Sequence, residues 1–409
     1  MSIKTLSFGC RLNALEAEKI QNMLGPVINT AIVVNTCAVT AEAERQSGQA
    51  VRKIARENPN APIFVTGCAA TRNPALFKEI HNTIVVDNFQ KRNLDAYIDA
   101  MMQQPCNIAG NARIDNFRDM DEKLSKKFIQ IQNGCNHDCT YCVTRLLRGR
   151  AVSFEYDEIL RDVRAAVNGG FGEIVLTGVD IASYARVYDG KAFLISDLCK
   201  QLLIDVPEIH RLRLSSMDPA VPEVGKIIEM IKSDARMMPH MHFSMQSGSD
   251  TILRAMRRRH TADIVREWVK MADGDITFSW DIICGFPGET EERFQETLDL
   301  AHELKPIKIH AFPFSPRPNT VAADMPGQVN RAISKERVRI INDLANKNRA
   351  EFMRAQVGKT VQVLVEENNI ARCPHDIAVS VGGRPVPART ICDVVLGNIE
   401  GDNFVGKVI

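Results

Sequence analysis

Short apolar runs alternate with amphipathic stretches over residues 1 to about 120, the pattern of a parallel α/β sheet. Strands are expected at Ile3–Phe8, Ala31–Val34, Ile63–Thr66 and Thr83–Val86. Helices are expected at Ala14–Met23, Ala41–Glu57, Pro74–Ile80 and Lys91–Met102, with Thr40 capping the second. A polar linker follows around Pro105–Asp121. A second α/β run then begins, with strands expected at Phe128–Gln132, Glu173–Thr177, Arg211–Leu214, His242–Met245, Thr277–Ile283 and Ile307–Phe312. Helices between them include Asp157–Val167 and Glu291–Glu303. Six such units are too few for a closed eight-fold barrel, so a partial barrel working at its strand carboxyl ends is expected. After a long polar helix near Ser334–Ala355, short strands are expected at Val361–Val365, Ile377–Val381, Ile391–Val395 and Asn403–Ile409, a small all-β module.

Composition narrows the classes. The chain has 409 residues, 45% apolar and 25% charged, and Lys+Arg 51 nearly cancels Asp+Glu 50 to leave +1. A highly basic coat protein, an acidic disordered chain and a polybasic membrane binder are excluded as whole-chain readings, so any nucleic acid is held by local patches. The start is too poor in apolar residues for a signal peptide, and no window approaches the ~18 apolar residues of a membrane span. A soluble, cytoplasmic protein is expected.

The 11 cysteines carry the chemistry. In a reducing compartment such thiols are core filler, metal ligands or catalysts. Cys135, Cys139 and Cys142 form a C-x3-C-x2-C loop, Gly-Cys-Asn-His-Asp-Cys-Thr-Tyr-Cys. Closed zinc sites take four ligands, whereas three thiolates suit an iron–sulfur cube with one iron left open. His137 as a fourth ligand stays an alternative, awkward in geometry beside Cys139. Cys10, Cys37 and Cys68 each follow an expected strand, at the carboxyl ends where ligands of parallel sheets bind, so they are expected to converge on a second cluster. The strand ends of the second run carry Thr177-Gly178, Ser215-Ser216, Gln246-Ser247-Gly248-Ser249 and Gly285-Phe286-Pro287-Gly288-Glu289, which allow close approach of a ligand or are plain turns. Cys106, Cys199, Cys284, Cys373 and Cys392 read as incidental or structural, although Cys373 with His375 also forms a short C-x-H pair.

The Cys135–Cys142 loop, with Tyr141 before its last cysteine, resembles the signature of the radical S-adenosylmethionine superfamily. With the three earlier cysteines, the partial (βα)6 barrel and the β tail, the whole chain resembles the methylthiotransferase family. Gly-Cys-Arg-Leu-Asn-Ala-Leu-Glu-Ala-Glu at 9–18, Asn-Thr-Cys-Ala-Val-Thr-Ala-Glu-Ala-Glu-Arg-Gln-Ser at 35–47 and Leu-Ser-Ser-Met-Asp at 214–218 resemble the branch acting on N6-threonylcarbamoyladenosine at tRNA position 37. Sister branches act on isopentenyladenosine in tRNA or on a ribosomal-protein aspartate. A non-catalytic iron–sulfur protein that binds RNA or senses redox state is the reading from another class.

The resemblance implies three domains: 1–120 with an auxiliary cluster, 121–355 as the radical core, and 356–409 as a TRAM-like β domain. It implies that Cys135, Cys139 and Cys142 hold a 4Fe–4S cluster binding S-adenosyl-L-methionine, and that Cys10, Cys37 and Cys68 hold a second 4Fe–4S cluster. Tyr141, Gly178, Ser216, Gln246 and Gly285 match positions lining the cofactor cavity. The implied partners are tRNA and a one-electron donor such as flavodoxin or ferredoxin. After Cys142 the chain departs from the family's Pro-Tyr-Ala-Arg-Gly-like stretch, reading Val-Thr-Arg-Leu-Leu-Arg-Gly-Arg, but it keeps Arg148 and Arg150 as expected RNA contacts. Residues 356–409 hold five Lys/Arg against six Asp/Glu, a poor footprint for RNA. The run Arg257-Arg258-Arg259-His260 is therefore the expected local basic patch, with Arg257 and Arg258 as RNA contacts.

Overall fold

The computed structural model describes residues 2–38, 40–103, 125–383 and 385–409. The expected linker at Pro105–Asp121, with Cys106, lies outside the described residues. Contacts divide the chain into two compact units, Met1–Met120 with Gly134–His137 and Cys142–Arg150, and Asp121–Asn133 with Asp138–Tyr141 and Ala151–Ile409. Among the described residues no helix is long and apolar enough to cross a membrane.

In the first unit, strands β1 (Ser2–Ser7), β2 (Thr30–Thr36), β3 (Ile63–Gly67) and β4 (Thr83–Val85) form a parallel sheet in that order. Ser7 pairs with Asn35 and Thr36 with Gly67, so the strands end nearly level. The middle strands are apolar on both faces because both are covered. Ile32 and Val34 join Val51 and Ile54 of helix α2 (Ala41–Glu57), while Ala31 and Val33 join Ile20 and Leu24 of α1 (Arg11–Leu24). Thr40 caps α2 by accepting from Ala43 N at 3.1 Å, as expected. Helix α3 is the single turn Cys68–Arg72. The helix expected from Lys91 starts only at Leu94, because the Lys91 side chain is buried and its carbonyl accepts from Tyr97 Oη. A short helix not anticipated from the sequence, α4 (Thr144–Arg148), packs Leu147 into the α2-side core.

In the second unit six parallel strands follow in chain order: β5 (Lys126–Gln130), β6 (Glu173–Thr177), β7 (Leu212–Leu214), β8 (His240–Gln246), β9 (Thr277–Cys284) and β10 (Lys308–Pro313). They pair as β7-β6-β5 and β8-β9-β10, joined by bridges at Leu212–Met237 and Met217–Phe243. Met241, Phe243, Phe278, Trp280 and Ile282 feed the main core, so His242, Ser279 and Asp281 fall on the other face of β8 and β9. Helix α5 (Arg331–Gln356) leads to a closed barrel of β11 (Thr360–Val365), β12 (Ile370–Arg372), β13 (Ala378–Gly382), β14 (Ile391–Glu400) and β15 (Asn403–Val408). Strand β12 was not foreseen; its three residues are too few for a visible alternation, and it completes the closure.

The C-terminal barrel docks on the amino ends of the parallel strands. Arg213 is bound to buried Glu173 at 2.7 Å and donates to Pro374 O, Arg211 donates to Gln362 O, and Lys126 meets Asp376 at 3.0 Å. Burial alone would raise the Glu173 carboxyl, but the charges of Arg213 and Lys126 hold it below its ordinary range. This small barrel thus gains the support that its size requires.

Candidate functional site

In the first unit three turns line up at the carboxyl ends of β1, β2 and β3. Cys10 sits between β1 and α1 and is exposed; Cys37 follows β2 and Cys68 opens α3, both buried. Gly9 has φ +86°, and a Cβ there would run into Cys37 Sγ and Cβ, so the Cys37 thiol lies directly against the Cys10 turn. Gly67 has φ +94°, and a Cβ there would strike the Thr36 backbone and Asn35 Oδ1. Asn13 ties the first two turns by donating to Phe8 O at 2.8 Å and Thr36 O at 3.1 Å, and Asn35 donates back to Asn13 O at 2.8 Å. Thr36 Oγ1 joins the third by accepting from Ala70 N at 3.0 Å. The turns carrying Cys10, Cys37 and Cys68 are thus tied to one another by close packing and hydrogen bonds. The donor set fits an iron–sulfur cluster: three thiols on glycine-relieved turns of one sheet edge.

Cys135 and Cys142 of the C-x3-C-x2-C loop belong to the first unit. Cys135 Sγ accepts from His137 N at 3.4 Å, and Cys142 Sγ accepts from Thr144 N at 3.4 Å. Backbone N–H groups aimed at sulfur stabilise thiolate charge, which suits cluster ligands. Gly134 has φ +69°, and a Cβ there would collide with Arg150 O, so the loop closes on backbone.

In the second unit Cys139 Sγ stands 3.7 Å from the Arg258 guanidinium, which also donates to Ser244 O at 2.9 Å and meets Asp218 at 3.3 Å. Burial would lower the Arg258 pKa, but Tyr141, Asp218 and Cys139 raise it above the ordinary value. Thr140 binds the same segment through Met256 O and Ala255 O. Tyr141 packs edge-on to Phe286 at 6.4 Å. Gly178 follows β6, and a Cβ there would lie 2.9 Å from Gln132 O. Ser216 lies just past β7, Gln246 ends β8 at φ +67°, and Gly285 follows β9 at φ +77°. Tyr141 apart, the expected cofactor-cavity residues thus share the carboxyl ends of four parallel strands, the end of such folds that takes ligands. Gly285 N donates to Glu289 at 2.6 Å, and Glu289 is paired with Arg337 at 2.8 Å.

Two expected RNA contacts are corrected. Arg148 is 9% exposed and binds Glu16 at 2.7 Å and Asn13 at 2.6 Å, so its charge is spent inside the first unit. Arg258 is buried against Cys139 and Asp218 rather than displayed. Arg257 is half-exposed but bound to Asp138 at 2.5 Å, and Arg150 is exposed. Within the run only Arg258 and His260 turn inward, while Arg257, at φ +58° just after the helix Asp250–Ala255, and Arg259 stay exposed. Sequence reasoning missed Arg258 and Asp218 as partners of the Cys139 loop; the adjacent Leu-Ser-Ser-Met-Asp motif was the available signal. Burial pushes the Cys199 and Cys284 thiols up to about 12, which suits structural cysteines.

The Radical SAM superfamily profile matches residues 129–301, and a profile described as uncharacterized protein family UPF0004 matches residues 2–89. The chain is 36% identical over 392 residues to the threonylcarbamoyladenosine tRNA methylthiotransferase MtaB of Rickettsia prowazekii, covering 92% of this chain and 90% of the relative. It is 32% identical to the protein of that name from Thermotoga maritima, covering 89% and 86%. It is 30% identical to the tRNA-2-methylthio-N(6)-dimethylallyladenosine synthase of Erythrobacter litoralis, covering 88% and 85%. Among solved structures, the radical S-adenosylmethionine methyltransferase TsrM from Kitasatospora setae superposes with a TM-score of 0.57 at 14% identity, covering 76% of this chain and 69% of that one, a likeness of fold. The cofactors are S-adenosyl-L-methionine and two 4Fe–4S clusters, and the enzyme is of the transferase type. With its relatives matching over nearly their whole length, the chain belongs to the radical S-adenosylmethionine methylthiotransferase family.

Proposed function

We propose that this enzyme adds a methylthio group to carbon 2 of N6-threonylcarbamoyladenosine at tRNA position 37. Support comes from the Rickettsia prowazekii MtaB match at 36% identity, above the 30% to the Erythrobacter litoralis dimethylallyladenosine synthase over similar coverage. In this reading Cys135, Cys139 and Cys142 hold the cluster that binds S-adenosylmethionine, and Cys10, Cys37 and Cys68 hold the auxiliary cluster. The clusters supply radical and sulfur chemistry, which an inert aromatic C–H demands and ordinary side chains cannot provide.

The chain's own residues position and shield. Tyr141, Gly178, Ser216, Gln246 and Gly285 shape the cofactor cavity; at Gly285, the neighbouring Ser334 excludes any side chain. Arg258 keeps a fixed positive charge beside Cys139. Residues 1–120, 121–355 and 356–409 act as auxiliary-cluster, radical and TRAM-like modules. Arg150 and Arg257 are the proposed RNA contacts, a one-electron donor such as flavodoxin or ferredoxin completes the system, and the site of action is the cytoplasm.

Comparing tRNA nucleosides from a deletion strain and its parent tests the substrate. Loss of 2-methylthio-N6-threonylcarbamoyladenosine is expected. Loss of the methylthio group from isopentenyladenosine instead would assign the enzyme to the sister branch.

A further inference from the structure

Among the described residues, two buried cations converge on one buried carboxylate close to the Cys68 turn. Glu16 on α1 is 2% exposed and Lys91 is 0% exposed. Lys91 Nζ donates to Glu16 Oε2 at 2.6 Å and to Asn88 Oδ1 at 2.8 Å. Arg148 donates to Glu16 Oε1 at 2.7 Å, to Glu16 Oε2 at 3.1 Å and to Asn13 Oδ1 at 2.6 Å. A structural staple on one carboxylate needs one cation. Here two converge on Glu16, so the three groups together carry a net positive charge.

Sulfur lies close to this triad. Asn88 Nδ2 donates to Cys68 Sγ at 3.5 Å and to Leu147 O at 3.0 Å, so one side chain touches both a cysteine turn and α4. Burial lowers the Lys91 pKa, and although burial acts the same way on Arg148, the Glu16 carboxylate, with smaller contributions from Cys68 and Cys10, holds Arg148 above its ordinary value. Arg148 also ends α4, the helix that follows Cys142, so the same guanidinium anchors this helix to α1, whose N-cap is Cys10.

We infer that Arg148 and Lys91 are positioning residues forming a buried cationic platform, which raises the reduction potential of the cluster on Cys10, Cys37 and Cys68. Fixed positive charge favours the more negative, reduced cluster, and low-dielectric surroundings leave that attraction poorly screened. The inference rests on the cluster assignment made above. It goes further in giving two residues outside the ligand set control of a potential.

The test is a redox titration followed by electron paramagnetic resonance on full-length protein carrying Cys139→Ala, which leaves the radical loop two thiols. Iron is counted in parallel. Arg148→Gln and Lys91→Met each remove one charge and are expected to shift the auxiliary potential to more negative values. Arg148→Lys keeps the charge and is expected to stay near the parent. Unchanged potentials in both neutral variants, with iron retained, overturn the inference. Should the neutral variants lose auxiliary iron, retention by Arg148→Lys at the parent potential supports a charge requirement, and its loss there too overturns it. Failure of the parent itself to hold a cluster that Cys37→Ala removes would instead refute the ligand assignment.

Discussion

The guanidinium of Arg258 stands 3.7 Å from the sulfur of Cys139, and its other nitrogen lies 3.3 Å from Asp218. A residue that reads in the sequence as one of three exposed basic side chains is thus the buried centre of a Cys–Arg–Asp arrangement. Removing its charge leaves buried Asp218 with Arg259 at 3.3 Å as its remaining cationic partner, at a cost of about 2 kcal/mol. Arg258→Gln is therefore expected to lower the denaturation midpoint and to reduce 5′-deoxyadenosine formation at least tenfold. Arg258→Lys is expected to recover part of both, and equal loss in the two variants would show that charge at this position is not what matters.

The glycine before Cys10 gives a steric prediction. At Gly9 a methyl group would occupy the place of the Cys37 sulfur, and φ is +86°. Gly9→Ala is expected to displace Cys37 and to lose the auxiliary iron. Gly170, with φ +75° but open space around it, is the control. Gly170→Ala is expected to cost only the left-handed backbone penalty of about 1 kcal/mol and to keep full iron content. Iron and sulfide assays on both variants check this.

Acid should loosen the seat of the C-terminal barrel. Burial lowers the pKa of His240 well below its ordinary value, and burial lowers that of His375 to about 4. His375 bridges the two parts through Thr277 at 3.1 Å and Pro239 O at 3.0 Å. A base whose folded pKa is depressed binds fewer protons folded than unfolded. Its contribution is therefore complete above about pH 6.5 and is lost as pH falls toward about 4. For largely buried His375 this amounts to about 3 kcal/mol. Limited proteolysis between α5 and the barrel is expected to accelerate across that window, and His375→Gln is expected to flatten the dependence.

Arg150 is exposed whereas Arg148 is not. Arg150→Ala is expected to weaken tRNA binding across sequences and to reduce the salt slope of the binding constant by about one. Filter-binding at several salt concentrations reads both quantities. An unaltered slope would remove Arg150 from the interface.

The four strands of the first unit, the partial barrel and the placement of each cysteine just past a strand were legible because each follows from local pattern. Apolar runs such as Ala31–Val34 mark strands buried on both faces, and Cys37, three residues beyond that run, falls at the carboxyl end of its strand, which ends at Thr36. Side-chain destinations across long sequence separations were not legible. Arg148 and Glu16 are 132 residues apart, and Arg258 and Cys139 are 119 apart. Their charges suggested a polyanion outside, whereas the fold pairs them with carboxylates and sulfur within. The three-residue strand Ile370–Arg372 was hidden for the opposite reason, being too short for any period to show.

Two three-thiol cluster sites in one chain is the claim on which the rest depends, and metal counting tests it most directly. Anaerobically reconstituted parent protein is expected to hold about eight irons, and about four after replacing either Cys10, Cys37 and Cys68 or Cys135, Cys139 and Cys142 with Ala. A parent with about four irons, or a Cys10/Cys37/Cys68 variant that keeps the parent's full complement, would contradict it.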